Sequence, residues 1–498
     1  MVVESLNVAL LARENSTLKA TVLHLETLVE KLQFQLAQLT RRQFGISAEG
    51  LAQLGLWTPA ETPASEAPRI PSMLVPAHER AKPVRRPLPD DLPREVIEID
   101  LAPEQQVCRC CGGARHVIGD EVSEKLDIEP ARMTVLQYRR KKYACRVCEG
   151  QVQAAPMPAQ VIEQGLATPG LLAHVAVQKF CDHMPLARQE KFFARHGIEL
   201  PRSTLTDWML ALGLVTAPLV NRACELLKGL DILGNDDTPL PWQNGRAGKT
   251  TTARLWVWRG LIDDQKPLLV YQFTPDRAGA HAATFLAGWR GYLQVDAYSG
   301  YDRNFIDGNI IEVGCMAHAR RRYFEIAKNA KTPGFAHEVV QRIGELYAIE
   351  REAKENKLAP ATRHRLRQER APPLLAALRE RLEAHLPKVL PKGPLAEAIG
   401  YTLNHWTALN RYLEDGRLEI DNNAVERAIR PVAQGRANWL FVASARGGHA
   451  AAALYSLIES AKANGLNPYA YLRDVLTRLP VVKAKDIDSL LPHVWRPA

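Results

Sequence analysis

Two aspartate sites that follow apolar, strand-like runs most constrain how this chain folds. Asp236 and Asp237 come directly after the run 230–235, and Asp296 closes the run 292–295. Further candidate elements are strands at 253–262, 267–273 and 310–314, with helices near 280–289 and from 315. The order is strand, strand, strand, helix, strand, strand, helix, which predicts a mixed α/β layer.

A third acid, Glu426, lies far downstream after the helix-starting residues 421–423, and Pro431 is predicted to end its short helix. One interpretation is purely structural: Asn423 and Glu426 form a capping box, and Glu426 pairs with Arg430 one turn later. The other places Glu426 beside the upstream aspartates. The upstream aspartates favour the second. The element order is compatible with a ribonuclease-H-like fold, in which carboxylates leave the first and fourth strands side by side.

Four motifs in this order and spacing resemble the insertion-sequence-66 family of DDE transposases: 236–238, 291–296, 314–321 and 421–427. The similarity continues through 438–441, Gly447-Gly448 and 467–472, and so covers nearly the whole chain. The resemblance implies a ribonuclease-H-like α/β catalytic core, a mixed sheet with helices on both faces, with Asp236, Asp296 and Glu426 as its acidic triad. The family usually has glutamate where this chain has Asp237, so either aspartate is a candidate ligand, and Asp236 is favoured.

A triad of acids fits the chemistry of cutting DNA. Hydrolysis or transfer of a phosphodiester develops charge on the attacking and the leaving oxygen, and two Mg²⁺ ions about 3.5–4 Å apart stabilise both. Mg²⁺ takes oxygen ligands, few of them carboxylates, with the substrate phosphate supplying more. We therefore expect two Mg²⁺ (or Mn²⁺) ions held by Asp236, Asp296 and Glu426.

Composition suits a polyanionic partner. The 498 residues carry a formal charge of +9 with a pI near 9.1, which is typical of nucleic-acid-binding proteins. No apolar run approaches the ~18 residues of a membrane span, and the N-terminus lacks the pattern of a signal peptide. We expect no membrane partner and a cytoplasmic location in a bacterium, associated with the nucleoid when the protein acts.

The N-terminal segment has a heptad repeat. Leucines occupy every seventh position at 11, 18, 25, 32 and 39, and the other seam position holds Val8, Asn15, Val22, Val29 and Leu36. This pattern favours a parallel two-stranded coiled coil whose single seam asparagine fixes the register. The alternative is an amphipathic helix within one chain; a homodimer is favoured.

Two cysteine pairs predict a zinc ribbon. Cys108-x-x-Cys111 and Cys145-x-x-Cys148 supply four sulfurs on two tight turns, as tetrahedral structural Zn²⁺ requires. Cys110 is an extra candidate within the first pair. A disulfide is the alternative, although nothing suggests secretion.

Helices are expected in most of the remaining chain. Three short helices begin near Pro169, Pro185 and Pro201 and resemble a helix-turn-helix, against the alternative of an ordinary helical connector. The predicted domains are a leucine-zipper-like coiled coil (1–42), a proline-rich basic linker (43–95), a zinc-binding ribbon (96–160), a helix-turn-helix-like DNA-binding region (161–225), the first part of the catalytic core (226–332), a helical insertion (333–413), the second part of the core with the glutamate (414–446) and C-terminal helices (447–498).

Basic residues near the acids are candidates for DNA contact. They are His318, Arg320, Arg321, Arg322, Arg430 and Arg436. Such groups can clamp phosphates near a scissile bond, whereas a lone histidine is more often structural. Trp439 is more often a core residue than a platform for a flipped base.

The sequence thus predicts a DNA transposase. The resemblance implies a dimer that binds double-stranded DNA, both terminal inverted repeats and target, frees 3′ hydroxyls and joins them to the target without a covalent protein–DNA intermediate. Helper proteins from the same element are further candidate partners. Two alternatives stay open: a zinc-ribbon DNA-binding regulator whose acids are structural, and a ribonuclease-H-like nuclease that cuts without joining.

Overall fold

The computed structural model describes most of the chain beyond residue 157. The described residues are parts of 15–36, then 133–139, 142–143, 153–154, 157–163, 165–244, 249–330 and 332–497. The chain divides into two compact units, Met1–Glu49 with Pro158–Ala498, and Gly50–Met157. The four predicted zinc ligands and the linker 43–95 lie outside the described residues. Within the second unit, strands β1 (Lys142–Tyr143) and β2 (Gln153–Ala154) pair antiparallel.

A five-stranded mixed sheet forms the centre of the first unit, in the order β5-β4-β3-β6-β7. Its strands are β3 (Ile232–Trp242), β4 (Thr251–Ile262), β5 (Lys266–Thr274), β6 (Gly291–Gln294) and β7 (Ile310–Val313). Strands β3, β4 and β5 are successive antiparallel neighbours, whereas β6 pairs parallel with both β3 and β7. The predicted strands and their order are confirmed.

Strand β3 is longer than the sequence predicted. The run was expected to end before Asp236, but β3 continues to Trp242, because β4 pairs with it as far as Trp242 opposite Thr251. Asp236 therefore lies inside a strand. The parallel register sets Gly234 opposite Gln294, so Asp236 and Asp296 each lie two residues beyond a paired position on adjacent strands.

Helices cover both faces of the sheet, as predicted. A Cβ on Gly234 would meet Val425 of helix α12 (Asn423–Trp439) at 2.8 Å, which shows how closely that helix approaches β3. A Cβ on Gly260 would meet Leu227 of helix α5 (Ala217–Lys228) at 2.8 Å. Arg259 pairs with Gly234, and neighbouring strand residues point to opposite faces, so α12 and α5 lie on opposite sides.

The edge strand β5 is capped by helix α13 (Ala445–Ala463) through serine hydroxyls. The backbone N–H of Leu269 donates to Ser460 Oγ at 2.9 Å, and that of Tyr271 donates to Ser456 Oγ at 2.8 Å. Both serines are buried. These bonds satisfy donors that an exposed sheet edge would leave open to another strand. The predicted C-terminal helices are confirmed, the second being α14 (Pro468–Arg478).

Replacement of Ser460 by alanine is expected to destabilise the protein by about 1–3 kcal/mol, because it leaves the buried N–H of Leu269 without a partner. Urea unfolding followed by tryptophan fluorescence measures the effect. The exposed Ser203→Ala serves as control and is expected to change stability by less than about 0.5 kcal/mol. Equal stability of the two variants would show that α13 does not satisfy the edge of β5.

The helices before the sheet begin where the sequence predicted. Helices α2 to α4 are Pro169–Phe180, Leu186–Arg195 and Arg202–Val215. The Thr168 hydroxyl accepts the N–H of Leu171 at 3.3 Å and so caps α2, as expected. Helix α4 runs past Gly213, its predicted end, because Gly213 is buried against Ala450 of α13. Helix α5 follows directly and was not predicted. The helix-turn-helix interpretation stays a prediction.

The insertion is helical, as predicted, and packs beside β7. After α6 (Gly279–Phe285) and α7 (Met316–Asn329), it contains α8 (Phe335–Glu355), α9 (Pro360–His385), α10 (Pro394–Asn404) and α11 (Trp406–Asn410). Short 3-10 helices are Ser299–Phe305, Leu386–Lys388, Arg411–Leu413 and Ala484–Leu490. One apolar core joins Val313 and Tyr323 to Ile343, Leu375 and Ile399. The insertion and the sheet therefore share a core.

The N-terminal helix, α1, comprises the described residues between 15 and 36. Lys31 Nζ lies 2.9 Å from Glu397 Oε1 of α10, an exposed pair. Among the described residues, no single helix is both long and apolar enough to cross a membrane; α4 and α5 reach that length and apolarity only together, as a pair bent by 44°.

Candidate active site

Asp236 lies on β3 with its carboxylate half-buried between other acids. The neighbouring Asp237 N–H donates to its Oδ1 at 2.7 Å. Burial and then the negative charge of Asp296 raise the pKa of Asp236 to about 7, with smaller contributions from the charges of Asp237 and Glu426 and an opposing one from the Asp237 N–H. Because electrostatic effects of this kind fall off with distance, Asp296 and Glu426 lie near Asp236.

Asp296 is presented by a tight turn after β6. Ala297, the next residue, has φ = 63°, in the left-handed region that is uncommon for a non-glycine residue. The Tyr298 N–H donates to Asp296 Oδ1 at 3.2 Å, so the carboxylate stabilises its own turn. The hydroxyl of Tyr401, from insertion helix α10, donates to the carbonyl of Asp296 at 3.3 Å.

Glu426 is held in place by the first turn of α12. The Asn422 side chain donates to the Asn235 carbonyl, one residue before Asp236, at 2.9 Å. The Asn422 N–H donates to the Cys315 Sγ, at the start of α7, at 3.2 Å. These bonds tie the beginning of α12 to β3 and to α7, and so fix the position of Glu426.

Two sequence interpretations of this segment are wrong. Pro431 does not end the helix: α12 continues to Trp439, and Pro431 is buried inside it. The capping box is absent from this helix start, because Asn423 is its first residue and donates its side-chain N–H to Asp421 Oδ2 at 2.7 Å. Glu426 faces His318 and Arg321 rather than Arg430.

Asp237 differs sharply from Asp236 because arginines neutralise it. Arg277 Nε donates to its Oδ1 at 2.7 Å and Arg254 Nη1 to its Oδ2 at 3.0 Å. The Asp237 side chain is 1% exposed. Both carboxylate oxygens are thus occupied, whereas Asp236 has no cationic partner among the described residues. Arg277 also approaches Asp296 Oδ2 at 4.0 Å and stacks on the Tyr298 ring at 3.8 Å.

The insertion positions the segment that leads to Glu426. Tyr347 of α8 donates its hydroxyl to Asp421 Oδ2 at 2.8 Å. Arg363 of α9 binds Glu419 Oε2 at 2.9 Å, and the fully buried Arg367 binds the Leu418 carbonyl at 2.8 Å. The four-residue spacing of Arg363 and Arg367 predicts that both lie on one face of a helix, but it does not reveal which residues they bind.

Comparison with known proteins decides the family. The family model described as "Transposase IS66 family" matches residues 164–450, more than half of the chain. The chain belongs to the IS66 transposase family. Three further models match: "IS66 C-terminal element" at 456–493, "zinc-finger binding domain of transposase IS66" at 105–149, and "Transposase C of IS166 homeodomain" at 31–97. The predicted family is confirmed, and the zinc-finger match spans both cysteine pairs.

Three similar proteins come from Sinorhizobium fredii (strain NBRC 101917 / NGR234). The uncharacterized protein y4jD is 38% identical over 82% of this chain and 81% of its own length. The uncharacterized protein y4hP is 34% identical over 96% of this chain and 89% of its own. The uncharacterized protein y4qI is 37% identical over 81% of this chain and 75% of its own. The similarity therefore covers most of each chain.

The basic residues predicted for this IS66 transposase fall into two groups. His318 and Arg321 face Glu426: His318 Nδ1 is 3.7 Å from Oε1, and Arg321 Nη2 is 3.4 Å from Oε2. The other four do not contact Glu426. Arg320 lies over the Phe324 ring, and Arg322 lies over the Tyr401 ring at 4.0 Å. Arg436 donates to Thr238 Oγ1 and to the Pro239 carbonyl, and Arg430 is exposed. Arg254 and Arg277 were missed.

Replacement of Asp236 by asparagine is expected to stabilise this IS66 transposase at high pH. The folded state holds a proton on Asp236 up to about pH 7, whereas an unfolded aspartate releases it near 3.8. Between pH 3.8 and about pH 7 the folded state therefore binds more protons than the unfolded state. The free energy of unfolding falls as the pH rises through this range. The variant, which lacks this ionisation, should be more stable at pH 8 by about 1–4 kcal/mol.

This advantage should shrink as the pH falls and vanish near pH 4. Urea unfolding at pH 5 and pH 8, in buffer without added Mg²⁺, measures it. The exposed Asp302→Asn is the matched control and should equal the natural protein at both pH values. A stability difference that is the same at pH 5 and pH 8 would contradict the raised pKa of Asp236.

Proposed function

We propose that this chain is a DDE transposase with a ribonuclease-H-like core, in which Asp236, Asp296 and Glu426 form the acidic triad. The observation that carries the proposal is that three acids from distant parts of the sequence lie near one another. Arg277 binds Asp237, the neighbour of Asp236, and approaches Asp296. Asn422, at the start of the helix that carries Glu426, binds the carbonyl of Asn235. Pairs of titratable groups that perturb one another are typical of functional sites. Membership of the IS66 transposase family supports DNA as the partner.

The residues fit a divalent cation with oxygen ligands. Asp236 and Asp296 are partly open to solvent and lack the close arginine pairing of Asp237, which supports Asp236 as the ligand. Glu426 Oε1 is buried and has no hydrogen-bond partner among the described residues. Carboxylates of this kind are the ligands that Mg²⁺ and Mn²⁺ prefer. When bound, two such ions would polarise the phosphodiester and activate the attacking hydroxyl.

The neighbouring side chains have roles that follow from their positions. Arg277, held rigidly between Asp237 and the Tyr298 ring, presents positive charge beside Asp296 and can orient a DNA phosphate. Arg321 is more than half exposed and does the same beside Glu426. In the first step, water forms a bond to phosphorus and the bond to the 3′ oxygen breaks, which leaves a 3′ hydroxyl.

In the joining step, that 3′ hydroxyl attacks a phosphodiester of target DNA, loses its proton, and displaces a target 3′ oxygen that takes one up. The carboxylates of the triad would hold cations rather than attack phosphorus, so no bond forms between protein and DNA. The partner is therefore double-stranded DNA, with the terminal inverted repeats of the element as donor.

The two cysteine pairs Cys108/Cys111 and Cys145/Cys148 are proposed to hold the structural Zn²⁺ of the zinc-finger domain.

A strand-transfer assay tests the proposal. The full-length protein is incubated with duplexes that carry the ends of its element and with a target plasmid, with Mg²⁺, with Mn²⁺ and without either. Joined products that require the metal are expected. Hydrolysed ends without joined strands would instead favour a nuclease, and specific binding without cleavage under either ion would favour a DNA-binding regulator.

The N-terminal helix is proposed to form a parallel coiled coil with a second copy of the chain. Its seam side chains are exposed, among them Leu18, Val22, Leu25, Val29 and Leu32. An apolar stripe at heptad spacing is buried when two such helices associate. Pairing through α1 would leave the catalytic sheet of each copy unchanged.

Leu25→Lys is expected to convert the dimer to a monomer at micromolar concentration, because it places a charge in the centre of the apolar seam. Multi-angle light scattering gives the mass of the particle directly. Ala20→Lys, an exposed position on the opposite face of the heptad, adds the same charge and should keep the dimer. A dimer that persists in Leu25→Lys would place the contact elsewhere.

A further inference from the structure

A second kind of metal site overlaps the acidic triad. The Cys315 thiol, one ring nitrogen of His318 and a carboxylate oxygen of Glu426 all lie within 4.8 Å of one another. Cys315 precedes α7 and His318 lies in its first turn, so the Cys-x-x-His spacing brings both towards the start of α12. Sulfur, imidazole and carboxylate together form a ligand set typical of Zn²⁺ rather than Mg²⁺.

Two of the three ligand atoms lack a partner. His318 Nδ1 and Glu426 Oε1 are buried and make no hydrogen bond to any described residue. They lie 3.7 Å apart, which is too far for a hydrogen bond. Two ligands of a tetrahedral zinc ion, each about 2.0–2.1 Å from the metal, are separated by roughly 3.4 Å. A small movement of either side chain would therefore admit an ion between them.

The remaining contacts of these residues leave the site open to an ion. Arg321 approaches the other carboxylate oxygen of Glu426, Oε2, at 3.4 Å and leaves Oε1 turned towards His318. The Cys315 sulfur accepts the Asn422 N–H at 3.2 Å, a bond that a thiolate also accepts. A hydrogen-bonded ligand of this kind is typical of metal sites, where outer contacts orient the ligands.

We propose that Cys315, His318 and Glu426 bind one zinc-class cation, with water as the fourth ligand, and that this ion withdraws Glu426 from the acidic triad. Binding forms a metal–sulfur bond and releases the thiol proton to solvent. Mg²⁺ does not compete for the thiol and imidazole, since it prefers oxygen ligands. Zn²⁺ should therefore inhibit DNA cleavage even when Mg²⁺ is abundant. This inhibitory effect rests on the proposed function, whereas the binding of the ion does not.

The first test counts bound zinc. The full-length protein is equilibrated with Zn²⁺ at a buffered free concentration, and zinc per chain is measured by atomic emission. Cys315→Ser and His318→Gln are each expected to hold one ion fewer than the natural protein, while the zinc of the finger domain is unchanged in all of them. Cys224→Ser is the matched control, because Cys224 is another free, partly buried cysteine outside this cluster. It should retain the full count.

The second test measures zinc inhibition of Mg²⁺-dependent cleavage, relative to each variant's own zinc-free rate. The half-inhibitory Zn²⁺ concentration should rise at least about tenfold in Cys315→Ser and stay the same in Cys224→Ser. Equal zinc counts in the natural protein and His318→Gln would overturn the site, even if Cys315→Ser failed to fold. A lost ion in His318→Gln together with no cleavage in the natural protein would retain the site and reject the proposed function.

Discussion

Asp296→Asn and Glu426→Gln are each expected to lower Mg²⁺-dependent DNA cleavage and joining by about 10³-fold or more. Each change keeps the size of the side chain but removes one negative charge from the proposed metal ligands, and the loss of one member of such a unit costs nearly as much as the loss of all. The fold should survive. The asparagine oxygen can still accept the Tyr298 N–H, and among the described residues the Glu426 carboxylate makes only long contacts, with His318 and Arg321.

The measurement is the rate of 3′-end release and of strand joining, with DNA binding assayed in parallel. Asp307→Asn and Glu355→Gln are the matched controls, because both carboxylates are exposed and outside the site; each should keep its rate within about twofold. Binding of the end duplex should persist in the triad variants. If either variant retained a tenth of the natural rate, its residue would lose its place in the triad.

The sequence predicted the strands from local patterns alone, and it placed Asp236 and Asp296 at the ends of two of them. Apolar, strand-like runs identified β4 to β7, and Asp296 was recognisable because it ends one of these runs. Asp236 was placed at a strand end, but the end depends on pairing: β4 is long enough to pair with β3 as far as Trp242. Pairing partners are distant in sequence, so local patterns cannot reveal where a ladder stops.

The same reason explains the misjudged helix α12. A proline usually ends a helix, because its ring clashes with the preceding turn. Helix α12 nevertheless continues through Pro431 because its apolar face is buried, with Val425, Ala428 and Val432 in the core. Packing against β3 outweighs the local cost. The partners of Asp237 were equally inaccessible, because Arg254 reaches it from the neighbouring strand and Arg277 from the loop after β5.

The insertion was recognised as helical, yet its role as a support for Glu426 emerges only in three dimensions. Arg367 is fully buried on α9, and all five of its N–H groups are used. Nε and Nη2 bind the two oxygens of Glu350 at 2.7 and 2.8 Å. The other three donors bind the carbonyls of Tyr412, Asp415 and Leu418 at 2.7, 3.0 and 2.8 Å. These carbonyls belong to the segment that leads into α12.

Arg367→Met is therefore expected to destabilise the protein by about 3–5 kcal/mol. It breaks the buried ion pair with Glu350, which keeps Arg363 as its partner, and it removes the arginine donors of three carbonyls. Arg367→Lys should recover little, since an ammonium group cannot reproduce the planar fork of five donors. Urea unfolding measures the loss, and cleavage rates measured well below the unfolding midpoint report whether Glu426 is displaced.

Arg379→Met on the same helix is the matched control. Arg379 forms an exposed pair with Glu383 one turn away at 2.7 Å, and such pairs contribute about 0.3–0.5 kcal/mol. The contrast between the two variants isolates burial as the cause, because both remove an arginine from α9 and both insert methionine. If Arg367→Met cost no more than Arg379→Met, the segment 412–421 would be held by its own packing, and the placement of Glu426 would not depend on the insertion.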